Sequence, residues 1–197
     1  MRCVRYFVLF VFFLLAFVHN YAFAQDGDLE KSYAISVYGG VMTDDNWLRS
    51  ISGQAGTVDS YLLATALSWR FYTPRHHLWA LELEGNIARH FGIQDHFEFN
   101  LPIITVRWLW FPWNKYLETS IAYGIGPSYA TTLPEYERMN SHPSDQFLLF
   151  WHLEADFRVP GSAWAFLARL HHRSSGYGLM ARSGGGNVLT MGLRYNF

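Results

Sequence analysis

The chain has 197 residues, with 15 basic and 16 acidic side chains, half of its residues hydrophobic and 18% aromatic. A charge balance this close to neutral argues against a nucleic-acid partner, while the apolar and aromatic content is high for a soluble domain. After the first 24 residues no apolar run is long enough for a membrane helix, so the apolar surface is divided among shorter elements.

At the start, Arg2 and Arg5 precede an apolar run from Tyr6 to Val18, and Ala22-Phe23-Ala24 follows. A charged beginning, a short apolar centre and an A-x-A ending predict a secretory signal peptide over residues 1–24, cleaved before Gln25. Cleavage removes Cys3, the only cysteine, so the exported chain carries neither disulfide nor thiolate chemistry. It also leaves 13 basic against 16 acidic side chains, a formal charge of −3. Residues 25–197 are then of a size for one domain.

The first predicted strand is Ser32 to Val41. In the second, Leu62 to Tyr72, the residues Leu63, Leu67, Trp69 and Phe71 share one parity and Ala64, Ala66, Ser68 and Arg70 the other. A third follows at Leu78 to Arg89. In the fourth, Ile103 to Phe111, the residues Ile104, Val106, Trp108 and Trp110 oppose Thr105 and Arg107. Alternation recurs in Tyr116 to Gly126, Gln146 to Phe157, Trp164 to Ser174 and Asn187 to Phe197. Segments of about 10 residues suit tilted membrane strands. Tight links (Thr73 to His77, Pro112 to Lys115, Val159 to Ala163) alternate with longer polar ones, Phe91 to Asp95 being the modest member of the long set.

Facing distinguishes a membrane barrel from a soluble one. Arg70, Glu82, Glu84, Arg107, Glu118, Glu154, Asp156, Arg169 and Arg194 all fall on the less greasy parity, where opposite charges pair inside a lumen. Trp69, Phe71, Trp79, Trp110, Trp113, Tyr116, Phe157, Trp164, Tyr195 and Phe197 cluster beside the tight links, as a periplasmic aromatic girdle would. Leu189, Met191, Leu193, Tyr195 and Phe197 share a parity resembling the C-terminal signal of bacterial outer-membrane proteins. The expected fold is all-β, an eight-stranded antiparallel transmembrane β-barrel of outer-membrane type occupying residues 25–197. Eight strands leave an interior filled by side chains, which disfavours a pore.

The stretch LHHRSSGYGL, Leu170 to Leu179, carries candidate chemistry in a region without any Asp or Glu from Phe157 onward. Trp164, Phe166, Ala168 and Leu170 define a lipid-facing parity that His172 and Ser174 continue, whereas His171 and Arg173 turn inward. Two residues along a strand separate Cα atoms by about 6.6 Å, a gap that imidazole and hydroxyl side chains can close as base and nucleophile. If Trp164 lies level with Tyr195, equal counting places His172 beside Asn187. Strand polarity puts this pair at the outer-leaflet end.

His172-Arg173-Ser174, then Gly176 and Gly178, then a final strand ending GLRYNF, resembles the active-site segment of PagL-type lipid A 3-O-deacylases. The resemblance covers the exported chain loosely and its last strands specifically. It implies an outer-membrane esterase that removes the 3-O-linked acyl chain of lipid A, with Ser174 as nucleophile and His172 as base. The family's third member is a glutamate on the last strand, where this chain has Asn187, and the asparagine usual after the serine is Ser175. An Asp to Asn change in serine proteases costs about four orders of magnitude, so either activity is low or a loop carboxylate (Asp59, Glu135, Glu137 or Asp145) serves as the competing third member. Backbone N–H groups of Ser175 and Gly176 are the expected oxyanion donors. Arg173 and Arg182 are candidate contacts to lipid A phosphates.

The remaining motifs read structurally. Neighbouring strand residues point to opposite faces, so neither His76-His77 nor His171-His172 can chelate one ion, and no metal or other cofactor is expected. Gly184-Gly185-Gly186 lacks the strand and helix of a phosphate loop, and Glu82 with Glu84 has arginines for partners. The expected partners are lipopolysaccharide and the outer membrane, with a homodimer left open. A noncatalytic barrel, adhesive or structural through Thr43 to Ser60 and Tyr129 to Asp145, is the alternative function.

Overall fold

The computed structural model describes residues 32–140 and 144–197; the expected signal peptide, residues 1–24, lies outside the described residues. The strands are β1 (Tyr33–Thr43), β2 (Thr57–Tyr72), β3 (Trp79–Gly92), β4 (Phe97–Asn100), β5 (Ile104–Trp108), β6 (Glu118–Ala130), β7 (Phe147–Arg158), β8 (Trp164–Ser174) and β9 (Gly185–Asn196). All pair antiparallel with their neighbours, and β1 pairs with both β2 and β9, which closes the sheet. A closed sheet leaves no open edge, so backbone N–H and C=O groups are bonded across the wall without water.

β4 and β5 both run between β3 and β6, one above the other, and together make a single barrel strand. The barrel is therefore eight-stranded. This corrects the expected fourth strand, which starts at Phe97 rather than Ile103. The interruption at Leu101 to Ile103 follows from Pro102, which has no N–H to give the ladder. Local bonds compensate: Leu101 N–H donates to the Pro127 carbonyl (3.0 Å) and Glu84 N–H to the Pro102 carbonyl (3.2 Å). A Cβ at Gly126 would lie 1.9 Å from the Leu101 carbonyl oxygen, so this approach requires glycine. β2 also begins earlier than expected, at Thr57, and β6 continues to Ala130.

Alternation places an apolar band outside and charge inside. Leu63, Leu67, Ile87, Val106, Ile121, Phe166 and Leu193 are exposed on the wall, whereas Glu82, Glu84, Arg107, Glu154, Arg169 and Arg194 are at most 3% exposed in the lumen. Arg107 binds Glu82 (3.0 Å), Glu154 (2.7 Å) and Asp156. Arg169 binds Glu84 (2.7 Å) and Glu154, donates to the Tyr38 hydroxyl (3.1 Å), and lies over the Tyr38 ring. Arg194 reaches Glu82 at 3.1 Å and Glu154 at 3.6 Å. Such ions are tolerable in a dry interior only as a mutually satisfied set. Glu154→Ala, which strips a carboxylate from three guanidinium groups at once, is expected to destabilise the barrel by about 3–5 kcal/mol. Urea unfolding in detergent, followed by gel migration of the folded form, measures this.

The short links and the aromatic girdle meet at one rim. Trp110, Trp113, Tyr116, Trp164 and Phe197 are exposed there, and rings pair between neighbouring strands, Trp164 with Tyr195 at 4.8 Å and Tyr72 with Trp79 at 5.6 Å between centroids. The opposite rim carries the longer connections, two of which contain helices, α1 (Trp47–Ile51) and α2 (Glu135–Asn140).

Candidate active site

β8 delivers the predicted residues to the long-loop rim in the expected facing. Its register sets Trp164 opposite Tyr195 and His172 opposite Asn187 on β9, with Trp151 of β7 opposite His172 on the other side. His171 and Arg173 point into the lumen and are buried, while His172 and Ser174 are partly accessible on the outer parity. The His172 ring packs against Trp151, centroids 4.3 Å apart, and Trp47 of α1 meets Trp151 edge-on at 5.9 Å.

His172 Nδ1–H donates to Asn187 Oδ1 at 2.6 Å, and Asn187 Nδ2 donates to the backbone carbonyl of Asp45 at 2.7 Å. The second bond determines what the first can be. A carbonyl only accepts, so the amide nitrogen must face Asp45 and its oxygen must face the imidazole. That oxygen holds the proton on Nδ1 and leaves Nε2 as the basic nitrogen. This is the tautomer a serine-activating histidine needs, and the one lost when an amide is free to turn its nitrogen toward the ring.

The Asp45 carbonyl is itself held in place. Asn46 caps α1, its side chain accepting from the Leu48 and Arg49 amides at 3.1 Å each. Thr43 and Ser50 hydroxyls share a hydrogen bond of 2.7 Å, and Thr43 Oγ1 donates to the Asn187 carbonyl at 3.3 Å. The loop after β1 is thereby pinned across the outer face of β9. α1 buries Ser50 against the barrel and exposes Trp47, Leu48 and Ile51, which with Tyr177 and Leu179 put apolar side chains around the rim. Periodicity could not reveal this lid, although an apolar Trp47-Leu48 pair within a polar loop was its available signal.

Ser174 closes β8 opposite Gly185 and Leu149. Among the described residues its hydroxyl makes no hydrogen bond to His172, so the two functional groups share a face without being engaged. Gly176, at φ +62°, turns the chain directly after it. Ser175 N–H donates to the Gly184 carbonyl at 3.2 Å. It is therefore committed to the loop, which corrects its assignment as an oxyanion donor and leaves Gly176 N–H.

Arg173 also needs correction. It is buried and bonds Ser128 Oγ (3.1 Å), the Asp145 and Gln146 carbonyls (3.0 and 2.7 Å) and the Glu137 carboxylate. Buried in the lumen with four of its five N–H groups bonded to the protein, this guanidinium lies away from the outer wall where a lipid phosphate would meet it. Arg182, on the exposed loop after β8, is accessible. The loop carboxylates do not serve His172: Glu137 is taken by Arg173 and Ser144, and Glu135 by Arg138 at 2.7 Å. Asp59 and Asp145 make no hydrogen bond to His172 among the described residues. Asn187 is the group that meets the imidazole.

No family model matches the sequence, and no curated protein resembles it in sequence. Solved structures do resemble the fold. The outer membrane enzyme PagL superposes with a TM-score of 0.56 at 12% identity, covering 84% of this chain and 100% of that one. Neisserial surface protein A gives 0.50 at 8% identity, covering 84% and 97%. The N-terminal β-barrel domain of Pseudomonas aeruginosa OprF gives 0.48 at 12% identity, covering 85% and 98%. Identities this low establish the architecture alone: the chain is a small, closed, eight-stranded antiparallel barrel of the kind found in the bacterial outer membrane.

Proposed function

We propose that this chain is an outer-membrane serine esterase that removes the 3-O-linked acyl chain of lipid A. The supporting observation is the amide-locked imidazole: Asn187, anchored by Asp45, holds His172 with Nε2 available on the same outward face as Ser174, at the rim where lipopolysaccharide lies. A nucleophile on the outer wall is reached by a lipid substrate without leaving the leaflet.

Ser174 Oγ attacks the ester carbonyl carbon while His172 Nε2 takes the hydroxyl proton. Negative charge collects on the former carbonyl oxygen, and Gly176 N–H, two residues after the nucleophile, donates to it. Collapse breaks the bond to the sugar oxygen, which receives the proton from His172. Water, deprotonated in turn by His172, then releases the fatty acid from Ser174. Side-chain rotation on substrate binding brings Ser174 and His172 together, consistent with catalytic hydrogen bonds that tighten only in the complex.

Mass spectrometry of lipid A from cells producing the wild-type barrel should show loss of one hydroxyacyl chain, and cells producing Ser174→Ala should not. Unchanged lipid A beside a folded, inserted wild-type barrel removes this reading. The noncatalytic alternative, favoured by the unengaged Ser174 hydroxyl, would then stand. It predicts a phenotype that follows deletion of the 44–56 or 131–146 loops and survives His172→Ala. Within the esterase reading, Arg182→Ala should raise KM for phosphorylated lipid A roughly ten-fold, the worth of one charge-assisted hydrogen bond, and leave kcat unchanged in a micelle assay.

A further inference from the structure

The lumen beneath the long-loop rim contains a carboxylate unlike its neighbours. Glu82, Glu84, Glu154, Asp156 and Glu137 each bind an arginine. Glu98 of β4 is 2% exposed and binds none among the described residues. Its partners are His90 Nε2 of β3 (3.1 Å), His171 Nε2 of β8 (2.9 Å) and Asn100 Nδ2 (2.8 Å). His96, from the link before β4, stacks on His90 with centroids 4.3 Å apart. It is 3% exposed, yet among the described residues neither of its ring nitrogens has a partner. The outer nitrogens of His90 and His171 likewise have none among the described residues. Buried polar atoms are nearly always bonded, so this concentration calls for a ligand able to accept lone pairs.

We propose that His90, His96 and Glu98 bind a divalent transition metal of the zinc class. One donor atom from each lies within 4.8 Å of the others. Zinc sits about 2.0–2.2 Å from nitrogen and carboxylate ligands, so small side-chain rotations close the set. Two imidazoles and one carboxylate select late transition metals over calcium or magnesium, which take oxygen ligands. Histidine binds metal as the neutral imidazole. The cation replaces the proton now shared between His90 Nε2 and Glu98 Oε2, with His90 carrying its hydrogen on Nδ1 instead. His171 and Asn100 stay on Glu98 Oε1 and orient the carboxylate, as outer partners of metal ligands do. Arg173, a lumen cation, is already paired with Glu137. The adjacent pairs noted in the sequence are not the site: His76 and His77 lie on the short-turn rim, and His171 acts through Glu98.

The test uses the detergent-refolded, chelator-treated barrel and the metals alone. Co2+ should produce visible d–d absorption that saturates at one equivalent and is displaced by Zn2+. His96→Gln and Glu98→Gln should each weaken binding at least about ten-fold, whereas a His76→Gln/His77→Gln double variant should match wild type. Binding that survives His96→Gln overturns the proposal, as does a folded wild type that produces no absorption. If the lumen variants fail to fold, histidine-labelled wild type decides by NMR. Zn2+ shifts confined to the buried imidazoles support the site, and shifts confined to exposed ones overturn it. No readout depends on esterase activity.

Discussion

Ser174→Ala is expected to lower the rate of lipid A deacylation by the purified barrel by at least about four orders of magnitude, leaving only what binding and oxyanion contacts supply. The expectation rests on one hydroxyl carrying the covalent step. Serine is the last residue of β8, on the outer parity, and the substitution removes one oxygen from a partly accessible site. The folded barrel should therefore migrate as wild type. His172→Ala should cost about as much, and the double variant no more than either alone, because nucleophile and base act as a unit. Ester hydrolysis in mixed micelles with fatty-acid release as readout measures all three. A Ser174→Ala barrel that still releases fatty acid at the wild-type rate would place the chemistry elsewhere.

The facing of this site was legible in the sequence because it depends on strand parity alone. Trp164, Phe166 and Ala168 point outward, so counting by twos carries His172 and Ser174 to the same side. The opposition of His172 to Asn187 followed from levelling Trp164 with Tyr195, two girdle residues held at one depth by the membrane interface. What parity cannot encode is a loop folding back over the wall. The Asp45 carbonyl is a backbone atom, and the anchors behind it (Asn46, Ser50, Thr43) are ordinary loop polar residues whose meeting depends on three-dimensional closure. Arg173 was misassigned for a related reason: its inward parity was evident, but its partners Glu137 and Gln146 come from a connection some thirty residues away in sequence.

The lumen cluster was missed through a different physical cause. Pro102 interrupts the fourth barrel strand, so its upper half, Phe97–Asn100, stands apart from the alternating run that starts at Ile103. The alternation was present all the same, Phe97, Phe99 and Leu101 against His96, Glu98 and Asn100. A proline that breaks a ladder locally does not end a strand when the neighbours supply other donors, here Leu101 and Glu84 N–H groups. Glu98 and Asn100 on β4, with His90 on β3 and His171 on β8, then become neighbours across a closed lumen, which no window along the chain contains.

Asn187 provides the sharpest test of the positioning argument, since it bonds His172 and in the proposed reaction acts through that imidazole. Asn187→Leu keeps the branched outline of the side chain and removes both hydrogen bonds. The imidazole then loses control of its tautomer and the loop loses its anchor, so kcat is expected to fall about 100-fold or more while the barrel stays folded. Asn187→Asp separates the two roles. The carboxylate still accepts from His172 Nδ1 and adds the negative charge that stabilises an imidazolium, so kcat should rise above wild type. It has no proton to give the Asp45 carbonyl, so the α1 loop is repelled, the apolar rim of Trp47, Leu48 and Ile51 loosens, and KM should rise as well. A purely structural Asn187 would move neither parameter in the folded fraction, and an Asn187→Leu barrel with wild-type kcat would show that the amide does not govern the imidazole. Steady-state kinetics at matched folded concentrations, with gel migration as the check on folding, separates these outcomes.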